Sequence, residues 1–235
     1  MKVIIFSGAG ISAESGISTF RDSGGLWENH SVYDICSADS LEKNKELTLG
    51  FYNKRREELK NVEPNYAHKV ITELNAKYPD NISIITQNVD DLFERSGCAE
   101  VMHLHGYLTR LKCVNKECDY RVDIGYSSQK GESCLKCDNE LRPDIVFFGE
   151  EAPFYEKLYR ELKDCEMLVV IGTSGEVIDV NFLRRGIKHT ILNNLEPSKA
   201  INTKKFTKVL YKPCTQAIDE IIVDIEACIT GDRKE

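Results

Sequence analysis

Val3-Ile4-Ile5-Phe6-Ser7-Gly8-Ala9-Gly10-Ile11-Ser12-Ala13-Glu14-Ser15-Gly16-Ile17-Ser18-Thr19-Phe20-Arg21-Asp22 is the stretch on which the fold turns. The apolar run at residues 3–6 reads as a buried strand. It breaks at Gly8-Ala9-Gly10 into small, helix-compatible residues. A strand that turns on glycines into a helix start makes an anion cradle. The missing side chains let backbone N–H groups approach a phosphate, and the start of the helix adds partial positive charge. The third glycine falls late, at Gly16, so the spacing departs from an ordinary dinucleotide fingerprint. Taken by themselves, Gly8 and Gly10 are served as well by a plain tight turn.

Three more strand-like runs repeat the pattern. Residues 82–86 (Ile-Ser-Ile-Ile-Thr) end in Gln87-Asn88-Val89-Asp90-Asp91, and residues 167–171, unbroken and apolar, end in Gly172-Thr173-Ser174-Gly175. His189-Thr190-Ile191-Leu192-Asn193 runs into Asn194-Leu195-Glu196-Pro197, and residues 208–211 form a last short strand. Between them lie helical patterns: a charged one over about 41–60, one over 65–77 after Pro64, and one over about 215–229 that turns Ile218, Ile221, Ile222, Ile225 and Ile229 inward. His68, near the start of the second, reads as a partly packed surface histidine. Strands alternating with helices predict an α/β fold, a Rossmann-like, mostly parallel sheet. Polar residues at the carboxyl ends of such strands stand where ligands bind.

Two segments interrupt this order. The core is expected from residues 1–30, 80–112 and 141–229, with a helical insertion at 31–79, a cysteine-bearing module at 113–140 and a disordered tail at 230–235. In the module, Cys113-x4-Cys118 is followed after fifteen residues by Cys134-x2-Cys137. Two thiolate pairs at this spacing complete a tetrahedron around zinc and leave no open position for water, so the site reads as a structural zinc ribbon. The other cysteines, Cys36, Cys98, Cys165, Cys214 and Cys228, read as small buried hydrophobes.

Histidine is the side chain whose ordinary pKa lies near neutrality, which suits removal of a proton from a sugar hydroxyl. Two alternate in Val101-Met102-His103-Leu104-His105-Gly106, and residue physics does not choose between them. On the charged helix, Tyr52 and Arg55 stand three apart and share a face. Periodicity alone makes that a solvated face.

The set Gly8-Ala9-Gly10-Ile11-Ser12, Glu14-Ser15-Gly16-Ile17, Phe20-Arg21-Asp22 and Gln87-Asn88-Val89-Asp90 resembles the signature of the sirtuins, NAD-dependent protein-lysine deacylases. The resemblance covers nearly the whole chain. It implies NAD as cosubstrate and one structural zinc. Gly8, Ala9, Gly10, Ser12, Glu14, Phe20 and Arg21 would contact the cofactor, and residues 23–28, around the only tryptophan, would form a lid over it. Gln87 would meet the nicotinamide ribose, Asn88 would orient that ribose and a water, and Asp90 would hold the carboxamide. Gly172, Thr173 and Ser174 would make a second phosphate and ribose contact, Asn194 and Glu196 would hold the adenosine ribose, and Cys214 would lie near the adenine. The family pattern places the catalytic histidine directly before a glycine, which selects His105 and leaves His103 without a role. Residues 146–150, with Val146, Phe148, Gly149 and Glu150, would form one wall of the acyl-lysine tunnel and pair with substrate main chain. Burial in a strand accounts for residues 145–148 equally well. Phe51-Tyr52-Asn53-Lys54-Arg55-Arg56 resembles the segment with which one bacterial and mitochondrial class holds the carboxylate of succinyl- or malonyl-lysine, through Tyr52 and Arg55. Two departures are Asp91, where asparagine is common, and Asp179, where the family usually has proline.

The expected reaction is therefore removal of acetyl, and also succinyl or malonyl, groups from lysine, releasing nicotinamide and an O-acyl-ADP-ribose. Mono-ADP-ribosyl transfer or NAD hydrolysis in the same pocket is the alternative, as is a catalytically quiet NAD-sensing module, which the intact His105 and Asn88 weigh against. The formal net charge of -7 argues against nucleic-acid binding and is compatible with lysine-bearing peptides. No apolar run is long enough for a membrane span, and no basic-then-apolar leader precedes the first strand. Nine cysteines without an export signal fit a reducing, cytoplasmic setting.

Overall fold

The structure, a computed structural model, describes residues 1–19 and 32–232. Among them the strands are, in chain order, β1 (Val3–Ser7), β2 (Ile82–Thr86), β3 (Val101–His103), β4 (Gly106–Cys113), β5 (Arg121–Asp123), β6 (Leu141–Ile145), β7 (Met167–Ile171), β8 (His189–Asn194) and β9 (Lys208–Tyr211). The helices are α1 (Gly10–Ala13), α2 (Val32–Cys36), α3 (Ser40–Lys43), α4 (Lys45–Lys60), α5 (Tyr66–Lys77), α6 (Leu92–Arg95), α7 (Tyr155–Lys163), α8 (Val180–Leu183) and α9 (Cys214–Thr230). None of these is long and apolar enough to cross a membrane.

Six strands make one parallel sheet in the order β3-β2-β1-β7-β8-β9. β1 and β7 lie at its centre and every residue in them is buried, because helices cover both faces. The pleat deals their side chains alternately. Val3, Ile5 and Val169 meet Ala67 and Ile71 of α5 and Ile218, Ile221 and Ile225 of α9. Ile4, Phe6, Leu168 and Val170 meet Leu158 of α7 and Leu183 of α8 on the other face. The strand order reverses between β1 and β7, which is the topological switch point where open α/β sheets bind ligands. Main chains crowd there: a Cβ on Gly172, whose φ is +65°, would sit 2.5 Å from the Ile11 nitrogen and 2.6 Å from the Gly10 carbonyl carbon.

The second layer is the antiparallel sheet β5-β4-β6, which ends at the four paired cysteines. The helical insertion packs on it through Ile35, Cys36, Tyr52 and Leu59, which meet Leu108, Ile145 and Phe147. Arg56, fully buried, ties the two together: Nε donates to Ser127 O (3.1 Å), Nη1 to Leu108 O (3.0 Å) and Nη2 to Asn53 Oδ1 (2.6 Å).

The structure corrects several expectations. The helix expected over 41–60 is broken at Asn44, whose ψ of 41° is not helical, into α3 and α4. Asn65 stands outside α5 as its cap, with Oδ1 accepting from the Ala67 and His68 N–H groups. The strand expected at 145–148 is instead β6. As an edge strand of the small sheet it tolerates Pro143, and Phe147 is buried beside it without being in a strand. Thr230 belongs to α9, which Gly231 ends in the left-handed conformation, and not to a tail. His68 is no surface residue: it is completely buried, edge-on to the Phe93 ring at 4.9 Å, and neither ring nitrogen has a partner.

Candidate functional site

A cavity of about 1420 Å³ opens where the strand ends of the parallel sheet face the helical insertion. Gly8, Ala9, Gly10, Ser12 and Glu14 line it from the β1–α1 turn, Gln87, Asn88 and Asp90 from the end of β2, and Gly172, Thr173 and Ser174 from the end of β7. Asn194, Glu196 and Cys214 close the far end. Gly8 must be glycine, since a Cβ there would lie 2.8 Å from Gly172 O and 2.9 Å from the Thr173 Cβ. Phe20, Arg21 and residues 23–28 fall outside the described residues.

The polar residues at the strand ends brace one another across the switch point. Gln87 Nε2 donates to Thr173 Oγ1 (3.0 Å), and Thr173 and Asn194 exchange two bonds: Thr173 N to Asn194 Oδ1 (3.0 Å) and Asn194 Nδ2 to Thr173 O (2.9 Å). Asn88 Nδ2 donates to Ser12 Oγ (3.1 Å), which donates to Asp90 Oδ2 (3.0 Å). Burial raises the Asp90 pKa against these bonds. Glu14 has a second occupation. It accepts from the Thr215 hydroxyl (2.6 Å), the Thr215 N–H (3.0 Å) and the Cys214 thiol (3.0 Å), so it caps α9. Burial works to raise its pKa, and these donors hold it below the ordinary value.

Burial separates the two histidines. His105, in the link between β3 and β4, faces the cavity, and its Nδ1 lies 3.0 Å from Gln87 O. A carbonyl only accepts, so Nδ1 carries the proton and Nε2 keeps its lone pair. That lone pair accepts from the Tyr155 hydroxyl at 3.1 Å. Burial lowers the His105 pKa, partly offset by the Gln87 carbonyl, so the ring is a neutral base at neutral pH. His103 has no exposed side-chain surface. Its Nδ1 lies 2.8 Å from Asn88 O and its Nε2 2.8 Å from Glu94 Oε1, so it fixes the Asn88 main chain from behind.

On the opposite wall, Tyr52 and Arg55 of α4 both line the cavity, together with Cys36, Glu58 and residues 145–150. Tyr52 is buried, stacked on Phe147 at 5.7 Å, and its hydroxyl donates to Cys36 Sγ (3.2 Å). Arg55 Nη1 donates to Glu58 Oε2 (3.1 Å). Glu150 is an internal strut, held by both Arg142 Nη atoms at 2.6 Å and by the Phe147 N–H at 2.9 Å. Val146 N donates to His105 O (2.9 Å), and Phe148 uses its N–H on Cys36 O (2.7 Å) and its carbonyl on Ala38 N (2.9 Å).

Away from the cavity, the sulfur atoms of Cys113, Cys118, Cys134 and Cys137 all lie within 4.8 Å of one another, with Cys113–Cys137 at 3.4 Å and Cys118–Cys134 at 3.7 Å. Four sulfurs at ~2.3 Å from a tetrahedral zinc stand about 3.8 Å apart, so the set fits that ion. Sequence reasoning missed Tyr155 and Glu58. Neither belongs to a motif: only the fold brings Tyr155 to His105, whereas Glu58 stands three residues from Arg55 on α4, a spacing the sequence already offered.

Comparison with known proteins agrees with this geometry. The model of the Sir2 family matches residues 8–179. The chain belongs to the Sir2 family. A relative from Campylobacter jejuni named NAD-dependent protein deacylase is 44% identical over 227 residues, 96% of each chain. One of the same name from Helicobacter hepaticus is 42% identical over 250 residues, 96% of this chain and 97% of its own. Among solved structures, a Sir2 homolog–NAD complex superposes with a TM-score of 0.83 at 31% identity, covering 97% of this chain and 90% of that one. The sirtuin fold is thus present, together with four clustered cysteines that could hold a zinc ion.

Proposed function

We propose that this Sir2-family protein is an NAD-dependent protein-lysine deacylase that removes acetyl groups and, through Arg55 and Tyr52, succinyl and malonyl groups as well. One observation carries the reading: a neutral histidine, His105, whose Nε2 lone pair is held by the Tyr155 hydroxyl, lines the same cavity as the Gly8–Gly10 turn and Gly172 at the switch point of the parallel sheet. Glycines let the β1–α1 and β7 turns approach each other closely at the start of α1, an arrangement that suits a pyrophosphate.

Bound NAD would supply an anomeric carbon that the acyl oxygen attacks as nicotinamide leaves. The chain's own contribution is positioning, dryness and base catalysis. Gly8, Gly10 and Gly172 admit the phosphates, and Gln87 and Asn88 hold the ribose. His105 Nε2 takes the proton of a ribose hydroxyl once the Tyr155 hydroxyl yields its place. Tyr52 and Phe147 line an apolar channel for the lysine stem, and Arg55 at its wall offers a guanidinium fork to an acyl carboxylate.

Mass spectrometry of acetyl- and succinyl-lysine peptides, with and without NAD, tests this directly. His105→Ala is expected to lower turnover on both about 10²–10⁴-fold while NAD binding persists. Arg55→Met is expected to depress desuccinylation far more than deacetylation. Full activity of the histidine variant would discard the catalytic assignment, and equal losses from Arg55→Met would discard the acyl assignment.

A further inference from the structure

Glu58 is a carboxylate of the protein's own set against Arg55, among the described residues the one cation on the Tyr52 face of the cavity. Residues 52, 55 and 58–59 follow each other at three- and four-residue steps along α4, so they share one face, and all of them line the cavity. Arg55 is mostly enclosed, with 13% of its side chain exposed, whereas Glu58 is 46% exposed at the rim. Arg55 Nη1 and Glu58 Oε2 are 3.1 Å apart. The second acid nearby, Glu150, is committed to Arg142 through two 2.6 Å bonds and leaves Arg55 alone. Among the described residues, Glu58 is the ion-pair partner of Arg55.

We propose that Glu58 determines acyl specificity: it occupies Arg55 when the acyl chain is neutral and must be displaced when the chain ends in a carboxylate. This rests on the reading of Arg55 as the carboxylate-binding residue. A neutral acetyl chain cannot answer a guanidinium, and an enclosed cation without a partner is unfavourable, so Glu58 keeps the pocket usable for acetyl-lysine. The pair is nevertheless a weak one, three residues apart on a helix with its acid half in water. A succinyl or malonyl carboxylate arriving from inside can meet the guanidinium as a fork, with less competition from solvent, and can displace Glu58. That displacement gives up the pairing of Glu58 with Arg55. Glu58 therefore lowers affinity for dicarboxylic acyl groups without closing the pocket to them.

The test is steady-state kinetics on one peptide carrying acetyl- or succinyl-lysine, at saturating NAD, for the wild type, Glu58→Gln, Arg55→Met and the double variant. Glu58→Gln is expected to raise the succinyl-to-acetyl ratio of kcat/KM by about 2–5-fold, the range of an exposed ion pair, chiefly through KM for the succinyl peptide. In the Arg55→Met background the same substitution is expected to leave that ratio unmoved, because the partner is gone. If Glu58→Gln leaves or lowers the ratio while Arg55→Met still depresses it, the role of Glu58 is wrong and that of Arg55 stands. If the Glu58 effect persists without Arg55, it is long-range charge and the proposed pairing is wrong. Equal losses on both peptides from Arg55→Met remove the reading of Arg55, and the inference with it. Glu58→Asp, which withdraws the carboxylate by one methylene, is expected to move the ratio in the same direction and serves should the glutamine variant fold poorly.

Discussion

His68→Leu should make the protein less sensitive to acid, by an amount that can be worked out from the surroundings of the ring. His68 is completely buried against Phe93, and neither ring nitrogen is hydrogen-bonded. Burial pushes its pKa from 6.5 down to about 4. A folded-state pKa below the unfolded one means that protons bind the unfolded chain first. The stability contributed by the neutral ring is fully present above pH 6.5 and is lost as pH falls toward 4. Over the whole window a shift of about 2.5 units corresponds to roughly 3 kcal/mol. At pH 5, where an unfolded histidine is almost wholly charged and His68 is not, about 2 kcal/mol of that has gone. Leucine has no proton to gain, fills a similar volume, and removes two unsatisfied polar atoms worth about 1–3 kcal/mol, at the expense of an aromatic edge contact worth about 0.5–1.5 kcal/mol. Urea unfolding of both proteins at pH 7.5 and pH 5, zinc present throughout, gives the stability difference at each pH. Acid effects on other groups are common to both and cancel. The advantage of His68→Leu should be about 2 kcal/mol larger at pH 5 than at pH 7.5. An equal difference at the two pH values would mean that the ring titrates in the fold as it does in the open chain, and the burial argument would fail.

The remaining predictions concern the site and its brace. Burial holds the pKa of His105 below 6.5, and the base must be neutral to act, so the acid limb of kcat/KM for NAD should lie below pH 6.5. A limb at or above that value would show that another group sets it. Cys134→Ser should abolish bound zinc, read by atomic emission, and melt the module that β4, β5 and β6 converge on, since the sulfurs of Cys113, Cys118 and Cys137 have no other framework. Activity should fall with the loss of structure, and restoring other divalent ions should not supply chemistry. An unchanged melting temperature after complete zinc removal would contradict a structural role.

Much of the sheet was legible because parallel strands buried on both faces leave an unbroken apolar run with a sharp polar end. β2, β7 and β9 begin and end where the residues say they should. The same signal failed at residues 145–148: Ile145 ends β6, Phe147 is buried by stacking on Tyr52 with no strand partner, and Phe148 is exposed, so hydropathy does not tell one setting from another. His68 was misread by residue type. The buried positions of α5 include Ala67, His68, Ile71, Thr72 and Leu74, a stripe wide enough to take in a polar ring, but nothing local reveals that Phe93 would cover it. The strand-end residues of the site were readable as a set, yet what they hold was not. Gln87 reaches Thr173, Asn194 reaches Thr173 and Glu14 reaches Thr215, partners separated by 21 to 201 positions that only the closed sheet brings together. The two arginines at 55 and 56 look alike in sequence, but a one-residue rotation on α4 sends the first to the cavity and the second into three carbonyl-type acceptors.

The position of His105 follows from how the two sheets are joined. β3 ends the parallel sheet at His103 and β4 opens the antiparallel one at Gly106, so the link between layers is Leu104 and His105. Leu104 is completely buried and its N–H donates to Thr86 O (2.9 Å), which fixes the link to the nucleotide side. The ring of His105 is held by the main chain of Gln87, at the end of β2, while its carbonyl holds the N–H of Val146, on the acyl wall. Gly106, at φ +93° and with no room for a Cβ beside Asp144 O, makes the turn that lets one residue face both ways. His105, as the proposed base, is thus tied by one hydrogen bond to each of the two walls of the cavity. A shift of either layer against the other moves the imidazole relative to one reactant or the other. In the proposed reaction, rigidity at this joint, rather than any special acidity of the ring, would align the proton transfer with the bond being made.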